Sequence, residues 1–373
     1  MNITVVISHR TDTITQKGVV LSMKKAYLVL SNGQIFEGWR FGAEADTVGE
    51  LVFTTGVNGY LQNLTDPASC GQILMQTFPM IGNYGTVEAD LESACTVKGY
   101  VVREWCNTPS NFRSEGDLDA LLKKLDIPGI WGVDTRALTA IIREAGVMNA
   151  MICGKLPDSM DELKKYKITG AVAAVTAKSV EVYPADDAKY NVAVMDYGVR
   201  KSVIEALNAR GCTVTVYPAS TEAEAVLAIE PDGVVLSEGP GDPNENTAMI
   251  AEIAKLQGKV PMLAMGLGHQ MLALANGASV TKMKTGHRGG NQPVREVTGT
   301  RTYVTAQNHG YVVTMNSVKN GTVRFVNAND GTCAGIAYPA DKALSIQFQL
   351  TTDTAFLYDE FTALMGGNAN AAE

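Results

Sequence analysis

The chain has 373 residues with 46% apolar and 19% charged side chains, a formal charge of −8 and a pI near 5.2. That length exceeds one ordinary core, at ~100–200 residues per domain, and the composition is globular, not disordered. The acidic balance argues against nucleic-acid or anionic-membrane surfaces, which need clustered Lys and Arg, and no apolar run approaches the ~20 residues that cross a bilayer. The six cysteines (Cys70, Cys95, Cys106, Cys153, Cys212, Cys333) form no CxxC pattern. With no secretory signal before them, reduced thiols and a cytoplasmic location are expected. Four histidines without an HxH or HExxH motif make a metal site unlikely in this sequence.

Residues 1–22 look unlike the rest and lack a targeting signal, so they are expected to be a dispensable leader or a misassigned start, with Met23 as the true one. Ala26 to Leu30 reads as a strand. Asn32-Gly33 makes a hairpin turn and Gln34 to Gly38 the returning strand. Residues 23–150 form the first domain, of mixed α/β type. In it Asp134 caps a helix whose Leu138, Ile141, Ile142 and Ala145 share a face, and Gly146 ends it. Residues 151–189 are expected to connect, with one charged helix candidate at 158–167.

From residue 190 the rhythm becomes strand–helix–strand. Val192–Met195, Thr213–Tyr217, Val234–Leu236 and Met262–Ala264 read as buried strands, and Thr221 to Glu224 as a capping box opening a helix. This pattern predicts a mainly parallel sheet covered by helices over 190–366, followed by a mobile tail at 367–373. In such a sheet the site lies at the carboxyl ends of the strands. Two glycine-rich loops fall there: Ser237 to Pro243 after the third strand and Met265 to Gln270 after the fourth. On spacing alone, tight strand-to-helix turns would explain both equally well.

Several motifs carry a resemblance: Asp196-Tyr197-Gly198, Gly239-Pro240-Gly241-Asp242-Pro243, Gly266-Leu267-Gly268-His269-Gln270, Gly286 to Asn291 and Gln307 to Tyr311. They resemble the class I glutamine amidotransferases, and more narrowly the small subunit of carbamoyl-phosphate synthetase. Asn58-Gly59-Tyr60, Leu64 to Pro67, Ile81 to Gly85 and Gly132 to Leu138 resemble that subunit's own N-terminal domain. The resemblance implies a glutaminase domain with a Cys-His-Glu triad, and a large-subunit partner that makes carbamoyl phosphate with ATP. ATP is expected only on that partner and no cofactor on this chain. The pathway, pyrimidine or arginine, stays open.

The family's elbow reads Gly-Ile-Cys-Leu-Gly-His-Gln, and its histidine and glutamate lie in Gln-Phe-His-Pro-Glu. Here the cysteine falls on Gly266, the histidine on Gln349 and the glutamate on Thr351. Glycine has no nucleophile, glutamine cannot act as a base and threonine carries no charge to orient an imidazolium. Glutamine contacts implied by the resemblance fall on Gly239, Gly241, Leu267, Gln270, Asn308, Gly310 and Tyr311, all of fitting type. The hydroxyl residue of the family's N-terminal stretch falls on Gly56 and is lost. Glu238 replaces the family's Asn, a carboxylate that could repel glutamine's α-carboxylate or claim its ammonium. His269, His287 and His309 are expected to pack or anchor loops.

The expectation is a structural or regulatory small subunit without glutaminase, docked on a large subunit that uses ammonia. An ordinary glutamine-hydrolysing subunit and a non-catalytic glutamine sensor are the alternatives.

Overall fold

A computed structural model describes the backbone of residues 5–6, 13–16 and 19–366, and side chains over 23–366. The chain divides into two compact units: residues 1–91 with 95–168, and residues 92–94 with 169–373. No helix among the described residues is long and apolar enough to cross a membrane.

The first unit is built on an eight-stranded sheet. Its order is Val5–Val6, Ile35–Gly42, Pro128–Trp131, Gly99–Val101, Gln72–Gln76, Thr47–Thr54, Met148–Cys153 and Lys25–Leu30. Lys25–Leu30 also pairs back onto Ile35–Gly42 through the Asn32-Gly33 turn, closing the order on itself. The four strands from Pro128–Trp131 to Thr47–Thr54 run parallel, and the other pairings of this sheet within 23–153 are antiparallel. Helix Thr135–Ala145 buries Leu138 and Ile142, one turn apart, against Leu28, Leu51, Ile73 and Val101. Its start is fixed as the sequence predicts: Asp134 Oδ1 accepts from the backbone N–H of Arg136 and Ala137.

The second unit carries a ten-stranded sheet. Its parallel core runs Cys212–Pro218, Tyr190–Asp196, Gly233–Leu236, Met262–Met265 and Ala343–Ile346. These strands are almost wholly apolar and covered on both faces. An antiparallel extension, Cys333–Tyr338, Thr322–Asn327, Val280–Glu296 and Thr302–Val313, continues the sheet beyond Ala343–Ile346. The architecture is the expected α/β one, with a parallel centre.

Four expectations need correction. A domain end at residue 150 would cut Met148–Cys153, a strand hydrogen-bonded on both edges, and the first unit instead continues to residue 168. The segment 151–189 is therefore not a free connection: helix Asp161–Lys165 belongs to the first unit, and strand Glu181–Tyr183 pairs with Cys212–Pro218 in the second. No capping box forms at Thr221. Helix Ala223–Leu227 starts without a side-chain cap from its own N-terminus, because the Glu252 carboxylate accepts from Ala223 N–H. In the leader, Val5–Val6 pairs in parallel with Ile35–Phe36, and Thr13–Gln16 pairs with Val19–Ser22, so part of it has strand partners that its composition did not suggest. The rest of the leader, its side chains and the tail at 367–373 lie outside the described residues.

Candidate functional site

Three carboxyl strand ends of the second unit converge on Gly266. Strand Met262–Met265 turns there into helix Leu267–Ala275, with φ 53° and ψ −111° at Gly266. Its N–H donates to Ile346 O at 2.9 Å, and Gly268 N–H donates to Ser237 O at 3.0 Å. The turn is thus pinned on one side by the last residue of Ala343–Ile346 and on the other by the loop after Gly233–Leu236. In backbone terms this is a sharp strand-to-helix turn of the nucleophile-elbow kind. It carries no side chain. The two cysteines in 169–373 offer no substitute: burial pushes the thiols of Cys212 and Cys333 up to about 11, the reverse of an activated nucleophile.

The other two positions of the expected triad have been put to structural use. Gln349 follows Ala343–Ile346, and its N–H donates to Ala306 O at 2.8 Å, bridging to Thr302–Val313. Thr351 is the N-cap of the short 3₁₀ turn Thr352–Thr354: its side chain accepts from the turn, and its own N–H donates to Thr354 Oγ1 at 3.0 Å. A residue at the glutamate position now closes a local turn.

Glu238 is held by a residue the sequence reading did not pair with it. Arg200 Nε and Nη2 donate to its two carboxylate oxygens, both at 2.9 Å, a bidentate fork. Each residue is 8% exposed. Arg200 Nη1 also lies 3.7 Å from Glu92 Oε1. Glu92 in turn accepts from Ser202 N–H through Oε2 and from Lys201 N–H through its carbonyl. It serves the start of helix Lys201–Asn208, which has no side-chain cap at Arg200. A Cβ built on Gly266 would stand 3.0 Å from Glu238 Cγ and 3.1 Å from its Cβ. Glu238 is therefore neither a free charge repelling a ligand nor one awaiting an ammonium; its charge is matched inside the protein, and its stem lines the elbow. The available signal was the basic Arg200 two residues beyond Gly198, with nothing in sequence to link it to residue 238.

Of the glutamine-contact positions expected in this unit, Gly239 lies against Leu267 and Gln270 bonds to Tyr311. Gly239 packs so closely that a Cβ would fall 2.3 Å from Tyr197 O and 2.9 Å from Leu267 Cδ2. Gly241 adopts φ +89° facing Ala171. Gln270 is 3% exposed, and its Nε2 donates to Tyr311 O at 2.9 Å and to Gln347 Oε1 at 2.8 Å. Asn308 sits opposite Arg288 in the hairpin, and a Cβ on Gly310 would meet Arg288 Nη2 at 3.2 Å. Lys282 Nζ lies over the Tyr311 ring at 5.9 Å. Gly56 belongs to the first unit, in the loop after Thr47–Thr54; the nearest atom to a Cβ there is Asn58 O at 3.3 Å.

The histidines behave as packing and anchoring groups. His269 is fully buried with Nδ1 2.8 Å from Ser345 Oγ, and burial pushes its pKa down to about 3. Ser345 Oγ donates onward to Ile336 O, so Nδ1 is the donor to Ser345. His309 Nδ1 donates to Tyr311 O at 2.8 Å, and burial together with nearby His287 holds the ring well below its ordinary value. His287 Nε2 lies 2.9 Å from Asp330 Oδ2. The run Gly286 to Asn291 is not a loop but part of the bulged strand Val280–Glu296. Among the described residues no group of three His, Cys, Asp or Glu could hold a metal ion.

A family model described as carbamoyl-phosphate synthase small chain, CPSase domain, matches residues 28–152, and one for class-I glutamine amidotransferase matches residues 193–349. The chain is 41% identical over 358 residues to a carbamoyl phosphate synthase small chain from Listeria monocytogenes serotype 4b (strain F2365), spanning 92% of this chain and 98% of that one. It is 43% identical over 353 residues to a carbamoyl phosphate synthase pyrimidine-specific small chain from Lactiplantibacillus plantarum, spanning 92% and 97% respectively. A solved glutamine amidotransferase from Thermotoga maritima matches 48% of this chain and 85% of its own at 22% identity and a TM-score of 0.35.

Proposed function

The chain belongs to the carbamoyl-phosphate synthase small chain family and has its glutamine amidotransferase domain, and from that premise we propose that it is a small chain without glutaminase activity. Its role is to dock on a carbamoyl-phosphate synthase large subunit, through its N-terminal unit, and to hold that subunit competent to use free ammonia. The observation that carries this reading is the elbow. Gly266 keeps the turn and its hydrogen bonds but offers no atom to attack an amide. The reading is supported by Gln349, whose amide cannot take a proton from a nucleophile, and by Thr351, which caps a turn where a carboxylate would orient a histidine. His309 does not replace the base, since both ring nitrogens are engaged, Nδ1 with the Tyr311 carbonyl and Nε2 with Gln307 Oε1 at 2.9 Å, and burial disfavours the protonated ring.

The family's glutamine route begins with covalent attack and ends with ammonia leaving for the partner. Without the first step no thioester forms, so nitrogen has to reach the partner as ammonia from solution. The test is synthesis of carbamoyl phosphate by the purified complex of this chain with a large subunit from its own cell. Ammonium should support the reaction and glutamine should not. Glutamine-dependent synthesis restores the ordinary reading; failure to bind any large subunit removes the docking role.

A further inference from the structure

The buried ion pair beside the elbow has a consequence that the missing triad does not explain. A site that had only lost its nucleophile would still present its binding groups to an amide substrate. Here Glu238 and Arg200 are bonded to one another through two parallel hydrogen bonds and are almost completely withdrawn from water. The stem of Glu238 stands at the place toward which a side chain at Gly266 would project. Gln270, another of the expected contact positions, is likewise engaged internally, by Gln347 and the Tyr311 carbonyl.

We propose that Glu238, held by Arg200, is a specificity-determining residue that closes this site to α-amino-acid amides such as glutamine. The inference rests on the reading of the site as an amidotransferase pocket, and it concerns binding, not turnover. An α-amino acid brings a carboxylate and an ammonium. The Glu238 charge is matched by Arg200, so the pair offers a ligand carboxylate no net attraction, and the guanidinium that could receive it is already engaged by Glu238 on two of its nitrogens. Opening the fork to admit the ligand would leave a carboxylate unpaired in a dry site, a larger penalty than the new contact returns. Replacing Glu238 with a neutral, shorter side chain frees the two guanidinium nitrogens for a ligand carboxylate, while Glu92 keeps Arg200 in place.

The test is calorimetric binding of glutamine to the full chain and to Glu238→Asn. The unmodified protein should show no heat of binding at millimolar glutamine. Glu238→Asn should bind glutamine at least roughly tenfold more tightly than that limit, a change of about 1.4 kcal/mol, and should release no glutamate. Glu238→Gln, which keeps the shape and deletes the charge, gives the second reading if the first variant fails to fold: it should also gain binding. Glutamine binding by the unmodified protein at micromolar concentration overturns the proposal, and so does a folded pair of variants that bind no better than the parent. Neither result touches the absence of hydrolysis, which is read from glutamate release alone.

Discussion

Gly266 shows how a position can lose its chemistry and keep its geometry. At φ 53° and ψ −111° it occupies backbone space that L side chains rarely adopt, and a Cβ would press on Glu238 at 3.0 Å. Gly266→Ala should therefore destabilise the protein by about 1–3 kcal/mol, read as a lower guanidinium midpoint at unchanged slope. Gly266→Cys should carry a similar penalty and still release no glutamate, because members of a triad act as a unit and the base is missing. For Arg200 the expectation is larger. Arg200→Met leaves the buried Glu238 carboxylate without its fork and should lose about 3–5 kcal/mol, whereas Arg200→Met combined with Glu238→Met should recover most of it. A double-mutant cycle on unfolding free energies checks both.

His269 gives a pH prediction. Its ordinary value of 6.5 falls to about 3 in the folded protein through burial. A depressed value means the unfolded chain takes up the proton first as pH falls. Stability is therefore full above about pH 6.5 and declines between 6.5 and 3, at up to about 1.4 kcal/mol per pH unit from this group. His309, also depressed, adds in the same direction. Between pH 7 and 5, above the titration of ordinary carboxylates, His269→Asn should flatten the stability profile measured by urea unfolding; an unchanged slope contradicts the assignment.

At the scale of elements, capping decides where the chain could be read locally. Helix Thr135–Ala145 was legible because its cap, Asp134, sits beside it in sequence. Helices Ala223–Leu227 and Lys201–Asn208 receive carboxylates from Glu252 and Glu92 instead, residues remote in the chain, and no local pattern announces such a cap. Glu92→Ala should lose about 0.5–2 kcal/mol, detectable as faster amide exchange at Ser202. The parallel strands from Tyr190 to Met265 were legible from their apolar runs, broken by threonine only in Cys212–Pro218, and so was the Asn32-Gly33 hairpin. The antiparallel extension was not. Val280–Glu296 is rich in Gly, Lys and Arg and has bulged pairing, so neither period nor propensity marks it as a strand. The site followed the same division. Gly266, Gln349 and Thr351 stood out as departures from a motif, while the Arg200–Glu238 fork joins residues 38 positions apart and is visible only in three dimensions.

For the whole molecule, membership of the small-chain family is what motivates the proposed large-subunit partner, and the chain's own residues decide what it would bring there. Both units keep closely packed cores, and the second keeps its elbow, loops and hairpin. The departures from the family's motifs noted above fall on Gly266, Gln349 and Thr351 and on two implied contact positions, Gly56 and Glu238. Under the proposed function, such a pattern keeps the shape that a partner would recognise and removes the reaction. The most direct test measures glutamate released from radiolabelled glutamine by the purified protein, alone and in complex with its large subunit, with an intact small chain such as the Listeria relative as the positive control. The account predicts release no faster than in buffer in both states. Turnover above that background by the unmodified chain contradicts it.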